Sequence, residues 1–227
     1  MLMHLSSASL PRSHTLREFG MVSASNPTIS LSEFTYTRGS EIYGEQAPIE
    51  YVYQVKSGAV RSYKLLSGGR RHISAFHVTG DFFGLENGDV HRFSTEAIVD
   101  TIVHLVRRKS LDAAAENDGT LTRDLLRMAA MNLRHAEDHM LLLGRKTSME
   151  RVAAFLIEMD KRLTTAGILA LPMTRRDIAD YLGLTIETVS RSLSYLRDLG
   201  MLRFVDRSQR HIVLVDRRQL AGLDRQN

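Results

Sequence analysis

The chain has 227 residues, 43% hydrophobic and 25% charged, with a net charge of +4 and no cysteine. That is chain enough for two modest domains of ordinary globular composition. It excludes disulfides, thiolate metal centres and cysteine chemistry, and no run approaches the ~20 apolar residues that a membrane helix needs.

The charge is unevenly spread. Residues 1–144 carry 15 Lys/Arg against 16 Asp/Glu, whereas residues 145–227 carry 15 against 10. A basic C-terminal part behind a near-neutral N-terminal part suggests that one module meets a polyanion and the other does not.

The N-terminal stretch "MLMHLSSASLPRSHTLREFG" has no basic start followed by a long apolar block. It therefore reads as a flexible arm over residues 1–25 rather than a signal peptide, with a cytoplasmic location expected. From about residue 34 to 108 the pattern is strand-like. "YVYQVKSGAVRSYKLL" alternates and turns at Ser67-Gly68-Gly69; "RRHISAFHVTGDFFGL" follows and turns at Gly80-Asp81; "FSTEAIVDTIVHLVRR" is a third β-branched run. Short strands between glycine turns at this spacing suggest a sandwich or barrel.

Between Leu111 and Gly144 the period becomes helical. Leu126, Ala129, Leu133, Ala136, Met140 and Leu143 recur at alternating spacings of three and four, a seam narrow enough to pair with one partner helix. No ionisable side chain lies on it, so pairing would desolvate no charge. Leu121, Leu125, Met128, Leu141 and Leu142 could pack the same helix back on the strands, and a helix with two apolar aspects fits a dimer better than a small monomer.

Residues 145–227 form a third segment. "TSMERVAAFLIEMDKRL" reads as an amphipathic helix capped by Ser148, "GILALPM" as a short extended link, and "MLRFVDRSQRHIVLVD" as a hairpin. In that hairpin Leu202 and Phe204 face Ile212 and Leu214 around a polar tip, Asp206 to Gln209.

Between link and hairpin runs "TRRDIADYLGLTIETVSRSLSYLRDLGML". Thr174 with Asp177 is a capping-box spacing, so a helix starts at Arg175 and buries Ile178, Ala179 and Leu182. Gly183 supplies a left-handed turn. Thr185 caps a second helix with Ile186, Val189, Leu193 and Leu196 on its apolar face. Two short helices about a glycine turn form a helix-turn-helix pattern. Glu187, Thr188, Ser190 and Arg191 are left on the exposed N-terminal face, where a recognition helix meets base edges. Arginine forks onto guanine N7 and O6, and glutamate can accept from cytosine N4. As a mere helix ion pair, Glu187 and Arg191 would contribute only ~0.2–0.5 kcal/mol, and spacing alone does not decide between the two readings.

This stretch resembles the DNA-binding signature of the CRP/FNR family of bacterial transcription regulators, with "GLTIETVSR" nearest the FNR and FixK branches. "VYQVKSGAVRSYKLLSGGRRHISAFHVTGDFFGL" resembles the family's β-roll, and "MLLLGRKTSMERVAAFLIEM" its join between dimerisation helix and DNA-binding domain. The resemblance spans residues 34 to 215. It implies an α+β protein with a cyclic-nucleotide-binding-like β-roll (residues 26–110), a long dimerisation helix (111–144) and a C-terminal winged helix-turn-helix (145–227).

It further implies a homodimer that binds double-stranded DNA and touches RNA polymerase. Glu187, Ser190 and Arg191 would read a TTGA-type half-site. Arg191 would take the guanine, Glu187 the amino edge of cytosine or adenine, and Ser190 would pack on thymine. Ile186, where the cyclic-AMP-responsive branch has arginine, favours TTGA over TGTGA. Thr174, Arg175, Thr185 and Thr188 would contact phosphates and position the protein without specifying sequence.

Departures from the family bear on what is sensed. The oxygen-sensing branch holds an iron–sulfur centre on cysteines, which this chain lacks. The nucleotide-binding branch grips the ligand phosphate with an Arg-Ser pair after Gly-Glu-Leu. Here "GLENGDVHRFSTEA" places Phe93 between Arg92 and Ser94 and has lost Gly-Glu-Leu. His77, His91 and His104 in the roll invite a haem reading but fit core or surface histidines better, and "HAEDH" (His135, His139) fits a solvated face better than a metal pair. The expectation is a FixK-like activator with no required small molecule, cofactor or metal. The alternative is a relative gated by haem, nitric oxide or a nucleotide in the roll. An enzyme is not indicated: "VHRFSTEA" lacks the His-x-His of a metal-holding barrel, and no nucleophile elbow or phosphate-cradling glycine loop occurs.

Overall fold

The computed structural model describes residues 12–15, 28–145 and 147–224. The chain forms two compact units. The first comprises the chain to Lys64 together with Ser74–Arg134, and the second comprises Leu65–Ile73 together with the chain from His135 onward.

The first unit is the expected roll of two antiparallel sheets. One has the order β1 (Arg12–Thr15), β2 (Thr28–Tyr36), β9 (Thr101–Arg107), β4 (Tyr51–Ser57), β7 (Phe82–Phe83). The other has the order β3 (Glu41–Tyr43), β8 (Ser94–Ala97), β5 (Ala59–Leu65), β6 (Arg71–Val78), with the tip of the β5–β6 hairpin, Leu65–Ile73, belonging to the second unit. Strand structure begins before residue 34: β1 falls within the expected arm and pairs with the start of β2, Thr15 opposite Thr28. The remainder of the arm lies outside the described residues.

The alternation read through residues 51–66 is broken at Gly58, whose φ of +97° turns β4 into β5 and passes the chain from one sheet to the other. β4 buries Val55 and ends on exposed Lys56 and Ser57, and β5 opens on two buried residues in succession, Ala59 and Val60. The run at residues 93–108 is likewise interrupted between β8 and β9.

The helical stretch expected as one element over 111–144 is two, α1 (Arg108–Glu116) and α2 (Gly119–Arg145). Asp118 makes the break. Only 3% exposed, its Oδ1 accepts the N–H groups of Thr120 at 2.9 Å and Leu121 at 3.1 Å, capping α2. Leu111 and Leu121 are buried with Leu31, Val52 and Val106, and Leu125 and Met128 pack against that cluster. Leu141, expected on the same inward face, is exposed.

The second unit contains α3 (Ser148–Leu163), β10 (Thr164–Thr165), β11 (Ile168–Ala170), α4 (Arg175–Leu182), α5 (Ile186–Asp198), β12 (Leu202–Phe204), β13 (His211–Leu214) and α6 (Arg217–Asp224). Its sheet has the order β10-β11-β13-β12. The extended link of the sequence reading is β11. The cap of α3 is Thr147 rather than Ser148: Glu150 N–H donates to Thr147 Oγ1, and Thr147 N–H donates to Glu150 Oε2 at 2.8 Å. Ser148 is the first helical residue.

Candidate nucleic-acid interface

The helix-turn-helix is built from local signals that agree with one another. Thr174 N–H donates to Asp177 Oδ2 at 2.9 Å, and Asp177 N–H donates to Thr174 Oγ1 at 3.2 Å, closing the capping box of α4. Gly183 ends α4 at φ +62°, where a side chain would be strained. Thr185 caps α5 by accepting Thr188 N–H at 3.2 Å. Val189, Leu193 and Leu196 are buried beneath α5 together with Ser192, while Ile186 is half-buried. The hairpin pairs Leu202 with Leu214 and Phe204 with Ile212, the expected register.

Burial on one side of α5 leaves Glu187 and Arg191 exposed, with Thr188 and Ser190 partly so, on its N-terminal half. The Glu187 carboxylate is held below the usual carboxylate range, first by its own backbone N–H at the helix start, then by the Thr185 hydroxyl, with Arg191 and Arg176 adding attraction. It is therefore an ionised acceptor at neutral pH. Among the described residues no ion pair within 4.0 Å joins it to Arg191, so the bland helix-pair interpretation loses its direct contact.

Arg175, expected to contact a phosphate, is engaged within the chain. Its guanidinium donates to Gln209 Oε1 at 2.5 Å and lies over the Phe204 ring, 5.8 Å from the centroid. Burial lowers its pKa from the ordinary arginine value, and its Nη1 is buried with no hydrogen-bond partner. Helix α4 and the hairpin are thereby joined through Arg175. The hydroxyls of Thr174, Thr185 and Thr188 are used in caps, Thr185 and Thr188 lying 3.0 Å apart. Three further arginines not singled out in the sequence are exposed or half-exposed, Arg176 on α4 and Arg207 and Arg210 in and beside the hairpin tip. The signal was present in "DRSQR", where two arginines flank a polar turn.

On α2 the expected seam is uncovered within the single chain: Leu126, Ala129, Leu133, Ala136 and Met140 are exposed. Leu143 departs from it and is half-buried, its Cδ2 lying near Gly183.

The roll interior is occupied by the chain's own rings. Tyr53 stacks on Phe83 with centroids 5.0 Å apart, Tyr43 stacks on His91 at 3.6 Å, and His77 lies 5.1 Å from Phe83. The three roll histidines each have a carboxylate or hydroxyl partner. His91 Nδ1 meets Glu86 Oε2 at 2.8 Å, His77 Nε2 meets Ser62 Oγ at 2.9 Å, and His104 Nε2 meets Glu33 Oε2 at 3.2 Å. Ser94 Oγ accepts Glu45 N–H at 2.9 Å, and Arg92 is exposed. The "HAEDH" pair corrects the sequence reading: His135 is near Glu158 at 3.8 Å, but His139 stacks on Tyr181 and has both ring nitrogens buried, so it is no part of a solvated face.

Comparison with known proteins agrees with this geometry. The Crp-like helix-turn-helix domain family matches residues 150–223, and the cyclic nucleotide-binding domain family matches residues 33–118. The nitrogen fixation regulation protein FixK of Azorhizobium caulinodans is 44% identical over 194 residues, 83% of this chain and 77% of the relative. FixK of Rhizobium meliloti is 38% identical over 204 residues, 90% and 92% of the two chains. The solved structure of FixK2 from Bradyrhizobium japonicum has a TM-score of 0.84 at 62% identity, covering 86% of this chain and 98% of that one. These relatives are transcription regulators, and no helix among the described residues is long and apolar enough to cross a membrane.

Proposed function

Because the chain belongs to the CRP/FNR family of DNA-binding transcription regulators, in its FixK branch, we propose that it is a cytoplasmic activator that binds a TTGA-N6-TCAA-type palindrome as a homodimer, with no small-molecule ligand required. The observation that carries this reading is the grouping of Glu187, Ser190 and Arg191 on the uncovered N-terminal half of α5. Arg191 supplies the fork for guanine, Glu187 the acceptor for an exocyclic amine, and Ser190 the small polar contact beside a thymine. A carboxylate on a DNA-facing surface opposes the phosphates, and its retention there makes sense as a base reader.

The uncovered stripe on α2 supports the homodimer, since a two-fold partner presenting the same stripe would bury it. Polymerase contact is implied by the family and rests on no residue identified on this surface. Ligand independence is supported by the roll itself: Tyr43, Tyr53, Phe83, His77 and His91 fill its interior, and Ser94 is bonded within the chain.

Fluorescence anisotropy of the purified protein, with nothing added, on the palindrome and on a scrambled duplex at ~150 mM salt tests the reading. Selective binding is expected. Weak or unselective binding that a haem or nucleotide restores would favour the ligand-gated alternative, for which a Soret band or excess absorbance at 260 nm is the direct sign.

A further inference from the structure

Arg71 belongs to the Leu65–Ile73 segment of the second unit. Its guanidinium meets two carboxylates of α4: Nη2 donates to Asp177 Oδ1 at 2.6 Å, and Nε donates to Asp180 Oδ2 at 2.9 Å. Asp177 is 1% exposed and has a double duty, because its other oxygen, Oδ2, accepts the N–H and hydroxyl of Thr174. One buried carboxylate thus joins the cap of α4 to Arg71. At the other end of the helix, Arg151 Nη1 donates to Leu182 O at 3.0 Å and Nη2 donates to Leu143 O at 2.8 Å. Helix α4 is therefore tied at its start to residue 71 and at its end to the last turns of α2. Only Gly183, Leu184 and Thr185 separate it from α5.

Charge pairs on open surface contribute little. This one differs in having one carboxylate out of solvent, and a planar guanidinium that fixes two acceptors at once also fixes direction. Nothing in base reading or dimerisation requires a cation at position 71, or two carboxylates on a helix beside DNA, where each repels phosphate.

We propose that Arg71 is a positioning residue for DNA recognition: by holding Asp177 and Asp180 it sets the orientation of α4, and through the Gly183 turn the presentation of Glu187, Ser190 and Arg191. This rests on reading α5 as the base-reading helix. It gives the protein a fixed reading head in place of one set by a bound effector.

The signs of two substitutions separate positioning from plain electrostatics. If these charges acted only through the phosphate field, Arg71→Gln would weaken binding and Asp180→Asn would strengthen it, on every sequence alike. Positioning requires both to weaken binding to the palindrome, by about threefold to tenfold, in the lower part of the range of coupling within a contact network. The scrambled duplex should be little affected, and the double variant no worse than the more impaired single one. Asp180→Asn keeps the buried pair of Asp177 with Arg71, so it tests the idea even where Arg71→Gln folds poorly. Tighter or unchanged binding by Asp180→Asn, or additive losses, would overturn the proposal.

Amide hydrogen exchange over residues 175–182 without DNA is the second readout. It should speed up in Asp180→Asn, and unchanged exchange also overturns the proposal. A wild-type protein indifferent to TTGA would instead refute the base-reading assignment, and the exchange result would still decide the role of Arg71.

Discussion

The imidazole of His139 stacks on the ring of Tyr181, with centroids 4.1 Å apart and planes at 25°. Neither of its nitrogens has a hydrogen-bond partner, and burial is the main reason its pKa is lowered to about 4, with His135 and His72 adding repulsion. The Tyr181 hydroxyl, pushed up from its ordinary value chiefly by burial, points to Glu158, which also faces His135 and Arg162. The contact therefore joins α2 to α4 through a neutral imidazole.

The unfolded chain binds this proton near pH 6.5 and the folded chain only near 4. The contribution of His139 is fully present above pH 6.5, declines as pH falls towards about 4, and levels off below. One proton sets a ceiling of about 1.4 kcal/mol per pH unit on that slope. Thermal melts between pH 8 and 4 should show the decline, and His139→Phe, which keeps the ring stack, should flatten part of it. Equal slopes in both proteins would show that other groups carry the acid sensitivity.

Gly58 is expected to be irreplaceable. A Cβ there would lie 2.5 Å from Thr101 Oγ1 and 2.7 Å from the Asp100 carbonyl oxygen, at a φ of +97°. Thr101 is itself fixed, its hydroxyl bonded to the backbone of Ala59 and Val99. Backbone strain alone costs on the order of 1–3 kcal/mol, and the overlap adds to it. Gly69, at φ +72°, would meet nothing within 4 Å, so Gly69→Ala should cost only the strain. Denaturant melts that rank the two substitutions equally would contradict this account.

The two helices of the helix-turn-helix were legible because their determinants are local. Thr174, Asp177, Gly183 and Thr185 each act within three residues of the backbone groups they satisfy, and apolar spacing chose the buried faces. The roll was legible as a class, yet its corner at Gly58 was not, since a lone glycine inside an apolar, β-branched run does not by itself mark a turn that changes sheets. Nothing in the helical spacing around Asp118 singles it out, and only its buried, capping geometry shows why the helix breaks. His139 has a spacing that fits a solvated face; the ring it packs on, Tyr181, comes from another element. The tie from Arg71 to Asp180 spans 109 residues, a separation over which no local rule operates.

Substituting Leu133, 61% exposed at the middle of the α2 stripe, should separate assembly from folding. With most of its side chain already exposed in the single chain, Leu133→Glu should leave the melting curve of the isolated chain nearly unchanged. Two carboxylates facing each other across a two-fold axis would disfavour pairing. Sedimentation should then move the protein towards its 25.6 kDa monomer mass, with affinity for the palindrome falling alongside. A variant that stays dimeric would place the interface elsewhere.

Glu187, Arg191 and Arg175 should differ in kind, not only in degree. Arg191→Ala should cost about 1–3 kcal/mol on the specific duplex and relax preference at one base pair. Glu187→Gln removes a charge that repels phosphates. It should raise affinity for scrambled DNA while lowering discrimination, so the ratio of the two affinities is the quantity to measure. Arg175→Gln should weaken binding to all sequences and reduce the salt slope by up to about one unit if the guanidinium meets a phosphate. Arg175 is also held by Gln209 and covered by Phe204, so its loss would free the hairpin as well. Gln209→Ala should therefore reproduce part of the Arg175→Gln affinity loss with the salt slope untouched. Anisotropy titrations at three salt concentrations on specific and scrambled duplexes distinguish these outcomes, and a uniform loss for Arg191→Ala on both duplexes would remove it from base reading.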